Sequence, residues 1–243
     1  MNYNDHLLLK ICSAKSINDK LVSKKIQKLI NLGANVNVRN NYGQTPLHII
    51  AFKGCAMCLE TLLNNGAKVY ATDTKNETPL HSAINNGQFV AAKTLIDNGA
   101  NVEAKNNNGE TPLLLAVAKK HPICVKVMLE NGANPNAVDN EGNSSLHYCR
   151  LNRRNSINED LVQYGANINK QNKTGDTPLH FAVKSHNHIL VNFLINQNAD
   201  TTIKNKKGKT PMLIADDGLR TAMIESIANR ARTNNTKSNL LEK

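Results

Sequence analysis

Two residue patterns in this chain have the types and spacing to carry chemistry. Cys55 and Cys58 form a Cys-x-x-Cys pair, which beside a βαβ unit would support dithiol–disulfide exchange. His48, His81, His147 and His180 recur in phase with one another, and imidazoles can bind metals or move protons near neutral pH. Neither pattern is completed by its surroundings. No βαβ alternation flanks the cysteines, and Cys58 takes an apolar place that Cys124 fills further along, so it reads as a small buried hydrophobe. Cys149 likewise stands where Ala83, Ala116 and Ala182 stand elsewhere. His121, His186 and His188 lie near turns and have no ligand spacing with cysteines or carboxylates. The glycines are scattered rather than gathered into a phosphate-cradling loop, and no nucleophile, base and acid fall together. No catalytic residue, metal or cofactor is therefore expected. Five cysteines, an odd number, point to reduced thiols in a cytosolic or nuclear compartment rather than a disulfide framework.

The elements that would hold these residues are set by a repeat. Thr-Pro-Leu begins at Thr45, Thr78, Thr111 and Thr177, Thr-Pro-Met at Thr210, and Ser144-Ser145-Leu146 fills the gap, each step being 33 residues. Gly33, Gly66, Gly99, Gly132 and Gly165 run at the same spacing, with Asn198 in the sixth place. Local chemistry explains the pattern. Thr offers an oxygen to an orphan amide at a helix start, and Pro at the first helical position gives up an N–H that has no partner there. A first helix such as Pro46 to Lys53 turns, often through Gly54 or Gly87, into a second such as Ala56 to Asn64. Glycine, or Asn198, then supports the left-handed residue that ends it. In the second helices Leu59, Leu62 and Leu63 recur as Ala92, Leu95 and Ile96, as Val125, Met128 and Leu129, and as Val191, Leu194 and Ile195. So short a helix pair cannot cover these side chains alone, so neighbours must stack on it.

A 33-residue period carrying Thr-Pro-Leu-His-x-Ala resembles the ankyrin-repeat family over residues 40–218. The resemblance implies an all-α repeat fold, an ankyrin-repeat solenoid of helix-turn-helix units joined by β-hairpin loops. Residues 1–39 read as an N-terminal capping helix pair, with helices near 5–16 and 21–31. Repeats follow at 40–72, 73–105, 106–138, 139–171 and 172–204, then a capping repeat at 205–232 and a disordered tail at 233–243. The repeat at 139–171 is degenerate: Ser144-Ser145 replaces Thr-Pro, Arg150 replaces an apolar residue of the first helix, Arg153 and Arg154 replace the turn glycine, and Asn158 and Asp160 enter the second helix. It is expected to pack least tightly. The family likeness also assigns the in-phase histidines a local structural role, bonding at the hairpin and helix start.

Charge narrows the partner. Of the net +11, the segments 1–39 and 219–243 supply +8, which suits polar ends on a stack. No apolar run approaches the roughly 18–20 residues of a membrane span, so a soluble monomer without an export signal is expected, cytoplasmic, with the nucleus or a host-cell cytosol as alternatives. In the resembled family partners contact hairpin tips and first helices along a concave face. Carried over by position, that face comprises Arg39, Asn41, Tyr42, Gln44, Phe52, Lys53, Thr74, Lys75, Glu77, Asn85 and Asn86. It continues through Lys105, Asn107, Glu110, Lys119, Glu141, Leu151, Asn152, Lys173, Asp176, Lys184, Lys206 and Lys207. Tyr42 and Phe52 are its aromatic anchors. The basic tips suit an acidic or mixed-charge protein partner. Glu77, Glu110 and Asp176 would repel phosphates, which disfavours nucleic acid. A non-catalytic scaffold or adaptor is the leading expectation. A nucleotide- or RNA-binding array is the second, and a host-directed effector of an intracellular microbe or virus, suggested by the resemblance and the Asn/Lys-rich composition, is the third.

Overall fold

The computed structural model describes residues 2–14, 19–149 and 156–241, the last nine by backbone alone. Arg150, Leu151, Asn152, Arg153, Arg154 and the 16–18 segment of the first loop lie outside the described residues. The helices fall into two compact units, 1–134 and 135–243. The first holds α1 (Tyr3–Ser13), α2 (Asp19–Asn31), α3 (Pro46–Lys53), α4 (Ala56–Asn64), α5 (Pro79–Asn85), α6 (Phe89–Asp97), α7 (Pro112–Ala118) and α8 (Pro122–Glu130). The second holds α9 (Ser145–Tyr148), α10 (Ser156–Gln163), α11 (Pro178–Lys184), α12 (His188–Asn196), α13 (Pro211–Ile214) and α14 (Asp217–Leu241).

Helix starts follow from the Thr-Pro pairs. Thr45, Thr78, Thr111, Thr177 and Thr210 are extended N-cap residues with Pro in the first turn. Where His stands at the third helical position it closes the cap from the other side. The Thr45, Thr78, Ser144 and Thr177 amides donate to the Nδ1 atoms of His48, His81, His147 and His180 at 3.1–3.2 Å. Imidazole thus does the job that Glu does in a capping box.

Each hairpin is organised by the Asn or Asp that opens its repeat. Asn40 Oδ1 accepts the amides of Tyr42 and Gln44 at 2.9 and 3.0 Å, and Asp73, Asn106, Asp139, Asn172 and Asn205 accept the equivalent pairs. One carboxylate or amide oxygen thereby turns the chain, which is why only Asn or Asp occurs there. Neighbouring tips are joined by backbone: Thr74 N–H donates to the Tyr42 carbonyl at 3.0 Å and Lys206 N–H to the Thr174 carbonyl at 3.0 Å. This contact requires Gly43 and Gly175. Both have positive φ, and a Cβ would come within 3.0 Å of the Thr74 nitrogen at one and 2.8 Å of the Lys206 nitrogen at the other. Among the described residues no strand forms, and an isolated antiparallel bridge joins Val138 to Ser144, so the expected β-hairpins are tight turns.

Packing runs in two helix layers. In the first unit α3 packs on α5 and α5 on α7, while α2, α4, α6 and α8 pack in succession. In the second, α11 packs on α9 and α13, and α12 on α14. Leu59, Leu62, Ala92, Leu95, Val125 and Met128 are fully enclosed in the first unit, as are Leu161, Val191 and Leu194 in the second. Leu63 and Ile96 are only half-buried.

Three expectations are corrected. α1 begins at Tyr3 rather than residue 5, because Asn2 caps it and pairs reciprocally with Asp5. The segment beyond Arg232, expected to be disordered, continues α14 to Leu241; no Gly or Pro interrupts it after Gly218. Cys55 and Cys58, expected to be reduced, are joined as a disulfide with their Cα atoms 5.3 Å apart, while Cys12, Cys124 and Cys149 are free and buried. The turn into α4 sets that spacing, which lies within the reach of a disulfide.

The degenerate repeat has a first helix of a single turn, α9. Its second helix puts Asn158 where Leu59, Val125 and Val191 stand elsewhere, and neither polar atom of that fully buried side chain has a hydrogen-bond partner among the described residues. An orphaned buried amide costs about 1–3 kcal/mol. Asn158→Val is therefore expected to stabilise the second unit by about 1–2 kcal/mol, read as a higher midpoint in urea. A lower midpoint would show that the amide contributes to the fold.

Candidate functional site

The residues expected to face a partner are carried by hairpin tips and first helices, elements rigidified by the Asx turns and histidine caps just described. In the first unit Asn41 and Tyr42 crown the first tip and Phe52 and Lys53 end α3. Tyr42 is 71% exposed and Phe52 44%. Thr74, Lys75, Lys105, Asn107 and Lys119 are exposed on the following tips and on the C-terminal end of α7, and Gln44, Glu77, Asn85 and Glu110 are half-buried behind them. Burial, followed by the Asp73 charge, raises the pKa of Glu77.

Several of these side chains are engaged within the protein. The Arg39 guanidinium donates to the Gly43 carbonyl at 2.8 Å and to the Thr72 carbonyl, so it clamps its own hairpin to the next repeat. Lys53 donates to the Ala14 carbonyl, and Asn86 Nδ2 donates to the Phe52 carbonyl at 2.8 Å. Asn107 Nδ2 donates to the Thr74 carbonyl at 3.2 Å, and Glu110 accepts from Asn106 Nδ2 at 2.9 Å. These residues shape the surface as well as decorate it.

In the second unit Glu141, Lys173, Lys184, Lys206 and Lys207 are exposed. Asp176 is not: it is 4% exposed, held by Lys184 at 2.6 Å, Asn205 Nδ2 at 2.8 Å and the Thr174 hydroxyl at 2.9 Å. Burial alone would raise its pKa, but the hydrogen bonds from Lys184, Asn205 and Thr174 outweigh it and hold the carboxyl below its ordinary range. Placing Asp176 on a contact surface is therefore corrected, because its carboxylate is enclosed between two repeats. Leu151 and Asn152 lie outside the described residues.

One feature of this face went unread in the sequence. Tyr148 and Phe181, with Asn143 and His147, line a cavity of about 150 Å³. The His147 ring meets Phe181 edge-on with centroids 5.1 Å apart, the Tyr148 hydroxyl donates to Asp139 at 2.8 Å, and the Lys184 ammonium lies 5.8 Å from the Phe181 centroid. The available signal was the position after the in-phase histidine, which holds Ile49 and Ser82 in the first repeats but Tyr148 and Phe181 here.

The histidines form no metal centre: among the described residues no group of three His, Cys, Asp or Glu side chains could hold an ion. A backbone amide can only donate, so each capping Nδ1 is unprotonated and Nε2 carries the hydrogen. His48 and His81 direct that hydrogen to the Glu77 and Glu110 carbonyls at 3.0 and 3.1 Å, and His147 and His180 to those of Asp176 and Lys209 at 3.1 and 3.0 Å. Each ring therefore binds its own hairpin and the next. Burial is the main cause that lowers the pKa of all four. No helix of the described residues is long and apolar enough to cross a membrane.

Comparison with known proteins agrees with this construction. Three copies of a family model described as ankyrin repeats match residues 13–106, 91–172 and 150–237. No curated protein matches the chain. Among solved structures, the ankyrin repeat domain of Bcl-3, described as a member of the IkappaB protein family, is similar at 29% identity, with a TM-score of 0.78 over 89% of this chain and 96% of that one. The ankyrin repeat domain of human ASB11 shares the fold at 22% identity, with a TM-score of 0.77 over 93% of this chain and 98% of that one. Ankyrin repeats are in general modules that bind other proteins. With its 33-residue period, its Thr-Pro helix starts and its repeat-bridging histidines all in place, this chain belongs to the ankyrin-repeat family.

Proposed function

We propose that the protein is a non-catalytic adaptor that holds an acidic or mixed-charge protein partner against its hairpin tips and first helices. The observation that carries this reading is the pairing of Tyr42 and Phe52 in one repeat. Both are large, aromatic and exposed, on a tip and a helix end that are otherwise hydrogen-bonded into the fold. Aromatic side chains on rigid supports lose little conformational entropy on contact and dominate many interfaces. Lys75 and Lys105 in the first unit, and Lys173, Lys206 and Lys207 in the second, are exposed on neighbouring tips and would speed encounter with an acidic surface. The enclosure and pairing of Asp176 removes an acidic group from the second unit's tips, which adds to the preference for an acidic partner.

The test is capture of proteins from cell lysate on the immobilised chain, with the bound species identified by mass spectrometry. Tyr42→Ala combined with Phe52→Ala is expected to abolish capture and leave thermal unfolding nearly unchanged. Phe89→Ala, an exposed aromatic on the second-helix layer, should leave capture intact. Undiminished capture by the double variant would reject the anchor. Retention of generic RNA with a steep salt dependence would replace the protein partner by a nucleic acid.

A further inference from the structure

The Cys55–Cys58 pair departs from the packing logic of the repeat, and the cavity beside it reaches the proposed partner surface at Lys53. At the start of α6, α8 and α12 the N-cap place is polar, held by Gln88, His121 and Asn187. Asn187 shows why, since its Oδ1 accepts the Leu190 amide at 3.1 Å. In α4 that place is taken by Cys55, whose sulfur accepts the Cys58 amide at 3.2 Å. A neutral sulfur is a weak acceptor, whereas a thiolate is favoured at a helix N-terminus. Cys58 occupies the position that Ala91, Cys124 and Leu190 fill with apolar groups, so a thiol there packs without rearrangement.

Both redox states are accommodated. As a disulfide the pair closes a loop between residues only three apart, where cross-linking restrains the unfolded chain least. When reduced, Cys58 has an acceptor in place, because its sulfur lies 3.6 Å from the Asp19 carbonyl oxygen. A cavity of about 300 Å³ lined by Cys12, Asp19, Lys53, Cys55 and Cys58 adjoins the pair, with one cation, Lys53, and one carboxylate, Asp19, among its lining residues. Cys12, in the same cavity, does not compete, since burial pushes its thiol up to about 12.

We propose that Cys55 and Cys58 form a thiol–disulfide exchange site for low-molecular-weight thiols of the glutathione class. A thiolate from the small thiol attacks Sγ of Cys55, which is 6% exposed where Cys58 is fully buried. The Cys55–Cys58 bond breaks, a mixed disulfide forms on Cys55, and the Cys58 thiolate takes up a proton and bonds to the Asp19 carbonyl. A second thiolate attacks the small-molecule sulfur of the mixed disulfide and releases Cys55 as a thiolate capping α4. Two thiols are oxidised to one disulfide and the protein disulfide is reduced to two thiols, so electrons and protons balance. Excess small-molecule disulfide drives the reverse.

The experiment equilibrates the full chain in buffers ranging from reduced to oxidised glutathione, traps free thiols with iodoacetamide and maps each cysteine by mass spectrometry. Cys55 and Cys58 are expected to change together between thiol and disulfide, while Cys12, Cys124 and Cys149 stay reduced throughout. In Cys58→Ser, Cys55 should retain a glutathione adduct and, once reduced, react with iodoacetamide at least about tenfold faster than Cys12. In Cys55→Ser no adduct should accumulate on the buried Cys58. The proposal is overturned if the pair stays reduced in oxidised glutathione, if it resists excess glutathione while folded, or if adducts spread equally over the five cysteines.

Discussion

Leu95→Ala is expected to cost the first unit about 2–5 kcal/mol in equilibrium urea unfolding. Leu95 is fully enclosed in α6, which packs between α4 and α8. The helices on either side enclose Leu59 and Leu62 in α4 and Val125 and Met128 in α8, so Leu95 belongs to a continuous buried layer. Truncation removes the transfer energy of the lost carbons and leaves a cavity that short helices, pinned at both ends by caps and hairpins, cannot collapse to fill. Since whole domains are stable by only about 5–15 kcal/mol, the unfolding midpoint should fall steeply. Ile123→Ala in the same unit removes an exposed side chain and should change stability by less than about 0.5 kcal/mol. Similar losses for the two variants would mean that the layers are not closely packed.

Acid should weaken the fold well before the carboxylates titrate. His48, His81, His147 and His180 are buried and neutral, and each has its pKa lowered from the ordinary 6.5, first by burial. Protonation would turn Nδ1 from an acceptor into a donor facing another donor, the capping amide, and break the helix start. The unfolded chain thus binds protons first. The stability these residues contribute is fully present above about pH 6.5 and is lost as pH falls toward the lower folded values. Each histidine steepens the acid limb by up to about 1.4 kcal/mol per pH unit. Urea unfolding measured from pH 8 to pH 5 should show a plateau and then this decline. His81→Gln, which keeps a capping side chain but cannot titrate there, should flatten the decline in the first unit. An acid limb unchanged by His81→Gln would show that His81 does not hold its proton-free form in the folded chain.

Much of the fold was legible because the signals are local. Thr-Pro starts, glycine stops and the 33-residue return of Leu59, Leu62 and Leu63 each act within a few residues, and the helices form where those signals place them. The ends were less legible. Asn2 begins α1 early by a reciprocal cap, and α14 runs on past its apolar stripe through a stretch with no Gly or Pro. The candidate surface was legible only as a row of positions. Which side chains on it are enclosed or drawn into hydrogen bonds depends on partners brought close by stacking: Asp176 is enclosed, and Arg39, though exposed, is bonded to the Thr72 carbonyl.

The amino-acid sequence by itself determined the repeat, the helix caps and the alternation of enclosed and exposed positions, since these follow from dihedral preferences and apolar spacing along the chain. The tertiary structure alone decided what happens between repeats: that His48 reaches the carbonyl of Glu77, 29 residues away, that Asn205 and Lys184 close over Asp176, and that Asn158 meets no hydrogen-bond partner among the described residues. It also decided that Cys55 and Cys58 are joined rather than merely near in sequence. The reason is one of distance. Spacing along the chain fixes which residues share a face, but hydrogen bonds and disulfides form or fail over a few tenths of an ångström, which only the packed repeats set.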